Sequence, residues 1–150
     1  MRIGIGNDHA AIEMKNDVVT YLKEKGIEVV NYGTDEPVSC NYPEYGEKVG
    51  RAVVSGEVDL GILICGTGVG ISLAANKVKG AYAANVLNVY SARRACLSNN
   101  CNIITLGSQV TGDMLAKELI EAYLGCTYVA NERSGKKVDA YVKYEREHFR

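Results

Sequence analysis

The sequence predicts an α/β fold, a Rossmann-like three-layer α/β/α sandwich built around a five-stranded parallel sheet. Short apolar, β-type runs alternate with longer amphipathic segments from one end of the chain to the other. This alternation is typical of parallel sheets whose two faces are covered by helices. The chain has 150 residues, of which 47% are hydrophobic, enough for one core but not for two. We therefore predict a single domain over residues 1–150.

Each predicted element has its own local signal. The first strand is the run RIGIG, and the helix after it places Ile12, Val18 and Leu22 on one face before Gly26 ends it. The predicted strands are residues 2–6, 27–32, 59–64, 80–84 and 102–106. The predicted helices are residues 11–25, 43–55, 88–97, 112–124 and 135–148, with a short helix that includes Ile71, Leu73 and Ala74. We expect the last, polar helix (about 135–148) to take part in dimer contacts.

The overall composition excludes several classes of protein. The formal net charge of −1 gives no reason to expect a nucleic acid or a membrane surface as partner. The sequence has no apolar run of about 18 residues and no signal-peptide pattern, so a cytoplasmic location is expected. The five cysteines include no CxxC pair, and the two histidines lie at opposite ends of the sequence. A zinc site and a disulfide scaffold are therefore not expected, and most cysteines are interpreted as small core residues.

The predicted fold also predicts where a ligand would bind. In parallel α/β sheets, ligands bind beyond the carboxyl ends of the strands. This rule brings together two loops, residues 6–9 (GNDH) after the first strand and residues 65–70 (CGTGVG) after the third. We call residues 65–70 the glycine loop.

The glycine loop does not fit the common nucleotide motifs. A GxGxxG fingerprint starting at Gly66 needs glycine at 71, where Ile71 stands, and no Asp or Glu occurs between Leu60 and Gly112. The Gly-Lys-Ser/Thr of a phosphate-binding P-loop is also missing. Glycines do allow several backbone N–H groups to face one anion, and the acid-free window contains four basic residues, Lys77, Lys79, Arg93 and Arg94.

Cys65 has two interpretations. It is either a packed residue in a tight turn or a thiol that the adjacent amides favour as the thiolate, next to an oxyanion hole. Asp8 likewise is either the cap of the first helix or a second polar group of the site, together with His9. A thiolate and a carboxylate beside backbone amides suit proton abstraction next to a carbonyl, through an enediolate. That is the chemistry of aldose–ketose isomerisation, for which neither a metal nor another cofactor is expected.

The motifs resemble those of the B-type ribose-5-phosphate isomerases. "GNDHAAIEMK" is similar to the family's GSDHAG-type opening, "CGTGVGISLAANK" to its active-site signature and "NYPEYG" to DYPDYA. "SNNCNIITLG" is similar to HNxANVLxLG, and "RSGKKV" to RHxxRV. The resemblance covers nearly the whole chain, and the galactose-6-phosphate isomerase subunits share many of these motifs.

The resemblance implies roles for particular residues. Cys65 would be the base that moves a proton between C1 and C2, and Thr67 would assist opening of the sugar ring. Backbone amides of the glycine loop would hold the enediolate oxygen, with Ser72 supporting the loop; the residues concerned are Gly66, Gly68, Val69 and Gly70. Asp8 and Tyr42 would bind hydroxyls, and Asn99 would contact the sugar. His9, Arg133 and Lys137 would face the phosphate.

Three positions depart from the family pattern. Ser98 replaces a histidine credited with ring opening, Gln109 replaces an arginine, and Lys137 replaces another arginine. A serine hydroxyl relays protons but does not titrate as an imidazole does, and a lysine lacks the bidentate fork of arginine. We therefore hypothesise slower ring opening, weaker phosphate selectivity and relaxed specificity for other aldoses.

Ser98 and Asn99 precede the fifth strand, so a parallel sheet places them near its amino edge, away from Cys65 of the same chain. Either a neighbouring subunit supplies them or they form only a turn. In the resembling family the site lies at a dimer interface, which implies a homodimer or a tetramer made of two such dimers. Which chain supplies Arg133 and Lys137 stays open.

The expected function is interconversion of ribose 5-phosphate and ribulose 5-phosphate. The alternatives are a galactose or allose 6-phosphate isomerase, a non-catalytic sugar-phosphate or nucleotide sensor, and thiol redox chemistry. The redox alternative has no obvious resolving cysteine in the sequence.

Overall fold

A computed structural model describes residues 1–149 and contains the predicted parallel sheet. Its strands are β1 (Arg2–Asn7), β2 (Glu28–Asn31), β3 (Leu60–Cys65), β4 (Ala83–Asn85) and β5 (Ile103–Gly107). The strands pair in parallel in the order β2-β1-β3-β5-β4. The predicted α/β class and the five-stranded parallel sheet are therefore confirmed.

Helices cover both faces of the sheet. They are α1 (Ile12–Glu24), α2 (Tyr42–Val54), α3 (Val69–Ala75), α4 (Val89–Leu97), α5 (Asp113–Leu124) and α6 (Gly135–His148), and a one-turn 3-10 helix (His9–Ala11) precedes α1. Buried residues of α1, α4 and α5 pack on one face, and those of α2 and α3 pack on the other. Within residues 1–149, no helix combines the length and the apolar character that a membrane span requires.

The alternation of side chains along β3 decides which way Cys65 points. Successive residues of a strand face opposite sides of the sheet. Ile62 and Ile64 pack in the core under α1, α4 and α5, whereas Leu63 and Cys65 pack in the core under α2 and α3. Cys65 is therefore the last inward-facing residue of its strand on the α2 and α3 side.

The sequence placed β4 too early. Residues 80–84 were the predicted strand, but the strand is Ala83–Asn85. Two backbone N–H groups before it bond to side chains: Gly80 N–H donates to Glu145 of α6, and Tyr82 N–H donates to Asn102 Oδ1. Gly80 also has a φ of +87°, which interrupts an extended run. These interactions come from distant parts of the chain, so the local pattern does not reveal them.

The sheet order creates a crevice at its carboxyl edge. β1 and β3 are neighbours, yet β1 leads to α1 on one face and β3 leads to α3 on the other. The two loops therefore diverge where the connections change face, which is where ligands bind in such sheets. Asn7 pairs with Ile64, so Asp8 follows β1 at the level of Cys65.

Candidate active site

Cys65 is buried at the end of β3, with its sulfur facing the glycine loop. Its exposed fraction is 4%, and the backbone N–H of Gly68 donates a hydrogen bond to Sγ at 3.1 Å. An N–H directed at sulfur stabilises negative charge on it, because the bond is stronger to a thiolate than to a thiol. The contact is compatible with the reactive interpretation of Cys65, whose role as a base stays a prediction.

The glycine loop is held in place by β4 and β5. Gly68 adopts a left-handed φ of +79° before α3 begins. Its carbonyl accepts bonds from Thr105 Oγ1 of β5 at 2.8 Å and from the backbone N–H of Ser72 at 3.3 Å. The Asn85 side chain of β4 donates to the carbonyl of Thr67 at 3.5 Å. The loop is thus braced from both sides, so its amides keep fixed directions.

Replacing Gly68 with alanine should destabilise the fold strongly. A β-carbon there would lie 2.6 Å from Asn85 Oδ1 and 2.8 Å from the backbone of Leu106, in addition to the strain of the positive φ. We expect a loss of about 3 kcal/mol in the free energy of unfolding. Gly56→Ala is the matched control, because Gly56 has a φ of +76° with nothing within 4 Å. That variant should lose only about 1–2 kcal/mol. Urea denaturation at one fixed chain concentration measures both, and equal losses would contradict the packing explanation.

Two of the backbone N–H groups predicted to hold the enediolate oxygen already donate to other atoms of the glycine loop. The N–H of Gly68 bonds to Cys65, and the N–H of Val69 donates to Thr67 Oγ1 at 3.3 Å. Thr67 is exposed, so its hydroxyl reaches solvent as a substrate contact would require. The role of the remaining amides in holding an oxyanion stays a prediction. Ser72 Oγ donates to the carbonyl of Ala83 at 3.4 Å, which connects α3 to β4, and its support of the loop stays a prediction.

Tyr42, a predicted binding residue, and Gln109, which replaces an arginine of the family pattern, lie against glycines of the loop. A β-carbon at Gly70 would come within 2.6 Å of the ring of Tyr42, the first residue of α2. Similarly, a β-carbon at Gly66 would come within 3.2 Å of Gln109 Oε1. These close approaches explain the glycines physically, and they place Tyr42 and Gln109 on either side of the glycine loop.

Asp8 does cap the helix that follows it. Its Oδ1 accepts a bond from the backbone N–H of Ala10 at 3.0 Å, and only 7% of the residue is exposed. His9 is exposed, and its Nδ1 lies 3.4 Å from the Cys40 backbone nitrogen and 3.7 Å from Cys40 Sγ. His9 and Gln109 line one cavity of about 790 Å³ at this edge of the sheet. Asp8 thus has a structural role as a helix cap, and its binding of a sugar hydroxyl stays a prediction.

The other predicted residues gather in a separate place. A cavity of about 370 Å³, here called the Ser98 cavity, is lined by Tyr90, Arg94, Ser98, Asn99, Asn131, Arg133, Ser134, Lys137, Val138 and Tyr141. None of these lining residues belongs to the glycine loop. One chain therefore holds Ser98, Asn99, Arg133 and Lys137 together, so a subunit that supplies Ser98 to a neighbour supplies the other three as well.

Tyr141 of α6 fixes the shape of the Ser98 cavity. Its hydroxyl donates to the carbonyl of Asn99 at 2.6 Å, and its ring packs edge-on against Tyr82 with centroids 5.0 Å apart. Burial, followed by the neighbouring Cys101, raises the pKa of the Tyr141 hydroxyl, so it stays protonated and keeps donating. Helix α6 is thereby attached to the turn after α4, and it carries Lys137 into the cavity.

The four basic residues of the acid-free window do not converge. Lys77 and Lys79 line a cavity beside α2, and Arg93 lines another with Tyr21 and Lys117. Arg94 alone enters the Ser98 cavity, where its guanidinium donates to Ser98 Oγ. The acid-free window therefore does not gather its four positive charges at the glycine loop, because the side chains of Arg93 and Arg94 line different cavities.

Several positions that shape the candidate site were not indicated by the sequence. Thr105 is a polar residue in an otherwise apolar strand, and this contrast was an available signal. Asn85 and Ser134 gave no local signal, because their contacts depend on how distant segments pack. Both have a buried side-chain oxygen without a hydrogen-bond partner among residues 1–149.

Comparison with known proteins agrees with this fold. The family described as ribose/galactose isomerase matches residues 3–141. Ribose-5-phosphate isomerase B of Escherichia coli K12 is 42% identical over 144 residues, covering 96% of each chain. D-erythrulose-4-phosphate isomerase of Pectobacterium atrosepticum is 42% identical over 147 residues, covering 97% of this chain and 95% of that one. The solved structure of ribose-5-phosphate isomerase B from Clostridium thermocellum shares 42% identity with a TM-score of 0.95, covering 99% of both chains.

The fold and the thiol-containing glycine loop, together with these similarities, define a sugar-phosphate isomerase. The chain belongs to the ribose/galactose isomerase family.

Proposed function

We propose that this chain is an aldose–ketose isomerase that interconverts ribose 5-phosphate and ribulose 5-phosphate, with Cys65 as the base. The observation that supports this most is the buried Cys65 thiol, whose sulfur accepts a bond from the Gly68 amide at the carboxyl edge of the sheet. A general base must be held in position, and the Gly68 amide fixes the sulfur at this edge of the sheet.

The proposed reaction moves one proton and leaves the sugar otherwise intact. The Cys65 thiolate takes the proton from C2 of the open-chain aldose, and negative charge develops on the carbonyl oxygen of C1. The resulting enediolate is held by loop amides and by hydroxyl groups near it, among them Thr67. The proton of the C2 hydroxyl then passes to the C1 oxygen, the Cys65 thiol returns its proton to C1, and the C2 oxygen becomes the ketose carbonyl. No electrons leave the sugar, so no redox cofactor takes part.

We also propose that the working enzyme is a homodimer or a tetramer made of two such dimers. The Ser98 cavity and the glycine loop are distinct parts of one chain. A two-fold axis would bring the Ser98 cavity of one subunit against the glycine loop of the other and create two equal sites. Asn99 would then contact the sugar, and Arg133 and Lys137 the phosphate, of the neighbouring subunit's substrate.

Relaxed specificity for other aldoses forms part of this proposal. Relatives at equal identity are named for five-carbon and four-carbon sugar phosphates, so the length of the sugar does not follow from similarity. Gln109 puts a neutral amide beside Gly66, which supports weaker selection for a phosphate on that side. A galactose or allose 6-phosphate isomerase is the runner-up in the same class.

A panel of aldose phosphates and free aldoses, incubated in D2O, tests the function. We expect ketose to form from ribose 5-phosphate with deuterium at C1, because the transferred proton exchanges with solvent at Cys65. Dialysis against EDTA should leave the rate within about twofold, since the base is a thiol and not a metal-bound water. Free ribose in the same panel measures phosphate selectivity. A rate lost with EDTA and restored by a divalent metal would contradict metal independence.

A further inference from the structure

The Ser98 cavity is lined by positively charged side chains, one of which bonds to Ser98 itself. Arg94 and Ser98 lie one turn apart at the end of α4, both half-buried, and the Arg94 guanidinium donates to Ser98 Oγ. Arg133 and Lys137 line the same cavity, and no carboxylate lines it. Across residues 1–149, none of these three cations has an ion-pair partner. The cavity therefore offers three cations to a substrate anion.

A buried hydroxyl adds to this arrangement. Ser134 lines the same cavity with 8% of its surface exposed, and its Oγ is without a hydrogen-bond partner in the described chain. Buried hydroxyls in native proteins nearly always bond to something. A ligand oxygen in the cavity would satisfy it.

The Arg94–Ser98 pair binds anions well but transfers protons poorly near neutral pH. A guanidinium stays protonated, and a serine hydroxyl beside it keeps its proton. The two histidines of the chain, His9 and His148, do not line this cavity. Opening a sugar ring requires removal of the proton on the C1 hydroxyl and delivery of a proton to the ring oxygen. The cavity's own pair therefore supplies binding energy rather than ring opening.

We propose that the Arg94–Ser98 pair selects open-chain aldose phosphates, and that Arg94 is a specificity-determining residue which binds the substrate's phosphate. This inference rests on the proposed isomerase function. In a tetrose 4-phosphate the C4 oxygen is esterified, so the remaining hydroxyls would close only three- or four-membered rings and the aldehyde stays open. Ribose 5-phosphate has a free C4 hydroxyl and exists mainly as a furanose. Since the pair does not transfer protons and Thr67 offers only a neutral hydroxyl for ring opening, the enzyme converts ribose 5-phosphate mainly through its small open-chain fraction and converts non-cyclising aldose phosphates directly.

Three substrates separate ring closure from chain length: erythrose 4-phosphate, 4-deoxyribose 5-phosphate and ribose 5-phosphate. The second has five carbons but no C4 hydroxyl, so it also stays open. We expect kcat/KM for both open-chain substrates to exceed that for ribose 5-phosphate by about tenfold or more. With ribose 5-phosphate, the velocity should stop rising with enzyme concentration once spontaneous ring opening limits it. Equal or higher kcat/KM for ribose 5-phosphate, or a slow 4-deoxy substrate, would overturn the proposal.

Substitutions at Arg94 test its role directly. Arg94→Leu should raise KM for erythrose 4-phosphate about tenfold with little change in kcat, because a charged hydrogen bond to the phosphate is lost. Arg94→Lys should restore part of the affinity. Arg93→Leu is the matched control on the same helix, since Arg93 lines a different cavity, and its kinetics should stay unchanged. An unaltered KM in Arg94→Leu would overturn the assignment.

A gain-of-function variant and a loss-of-function variant complete the test. In the double variant Arg94→Leu with Ser98→His, an imidazole enters the cavity, and the velocity limit with ribose 5-phosphate should rise. If that limit stays unchanged, the account of ring opening is overturned.

If Cys65→Ser loses all turnover while ribose 5-phosphate proves the best substrate, the inference fails and the proposed function stands. If the native enzyme converts no aldose phosphate, the proposed function itself fails.

Discussion

Cys65→Ser should lower kcat by about 1,000-fold or more while leaving ligand binding nearly intact. Serine keeps an acceptor for the Gly68 N–H and is smaller than cysteine, so the buried position accommodates it without strain. Its hydroxyl, however, does not ionise near neutral pH and cannot take the proton from C2. Steady-state kinetics on ribose 5-phosphate and erythrose 4-phosphate, together with calorimetric titration of the ketose product, measure the two effects separately.

Cys101→Ser is the matched control for this prediction. Burial raises the pKa of the Cys101 thiol to about 11, with a smaller contribution from Cys96, so this thiol stays protonated. Its replacement should leave kcat within about twofold, since it lies away from the glycine loop. A Cys65→Ser enzyme that keeps more than about a tenth of the native kcat would contradict the role of Cys65 as base. A non-catalytic sensor would keep both its binding and its function in this variant.

Much of the fold was predictable because its signals are local. The apolar run that ends at Cys65 and the helix that ends before Gly26 both depend on residues close in sequence. Strand β4 was misplaced because side chains of Asn102 and Glu145, far along the chain, bond the backbone of residues 80–82. No local pattern contains that information.

The candidate site was predictable only in part, for the same physical reason. The carboxyl-edge rule correctly brought the loop after β1 beside the glycine loop, since it depends only on parallel topology. The sequence also indicated that Ser98 lies apart from Cys65. It did not indicate that Arg94 meets Ser98, because the direction of an arginine on a helix depends on the elements that pack around it. The roles of the individual residues stay predictions.

Mixing two inactive variants should restore activity if each site uses two subunits. The variant Cys65→Ala lacks the base, and the variant Asn99→Ala lacks a contact from the Ser98 cavity. In a mixed dimer, one site carries both substitutions and the other carries neither. Random exchange of subunits should therefore restore roughly a quarter of the native activity. The measurement is the specific activity of the two variants after co-refolding from urea, compared with each variant refolded alone.

A second pairing controls for interactions that do not reflect shared sites. In the mixture of Cys65→Ala with Thr67→Ala, each chain carries its substitution in its own glycine loop. Every site of a mixed dimer therefore contains one of the two substitutions. That mixture should show no recovery beyond the average of its components. Arg133→Ala mixed with Cys65→Ala should recover as Asn99→Ala does, because Arg133 lines the same cavity as Asn99. No recovery in either cross-cavity mixture, from chains shown to form mixed dimers, would mean that each subunit builds its site alone. The fold would then have to bring the Ser98 cavity to Cys65 within one chain, although the two lie in distinct parts of it.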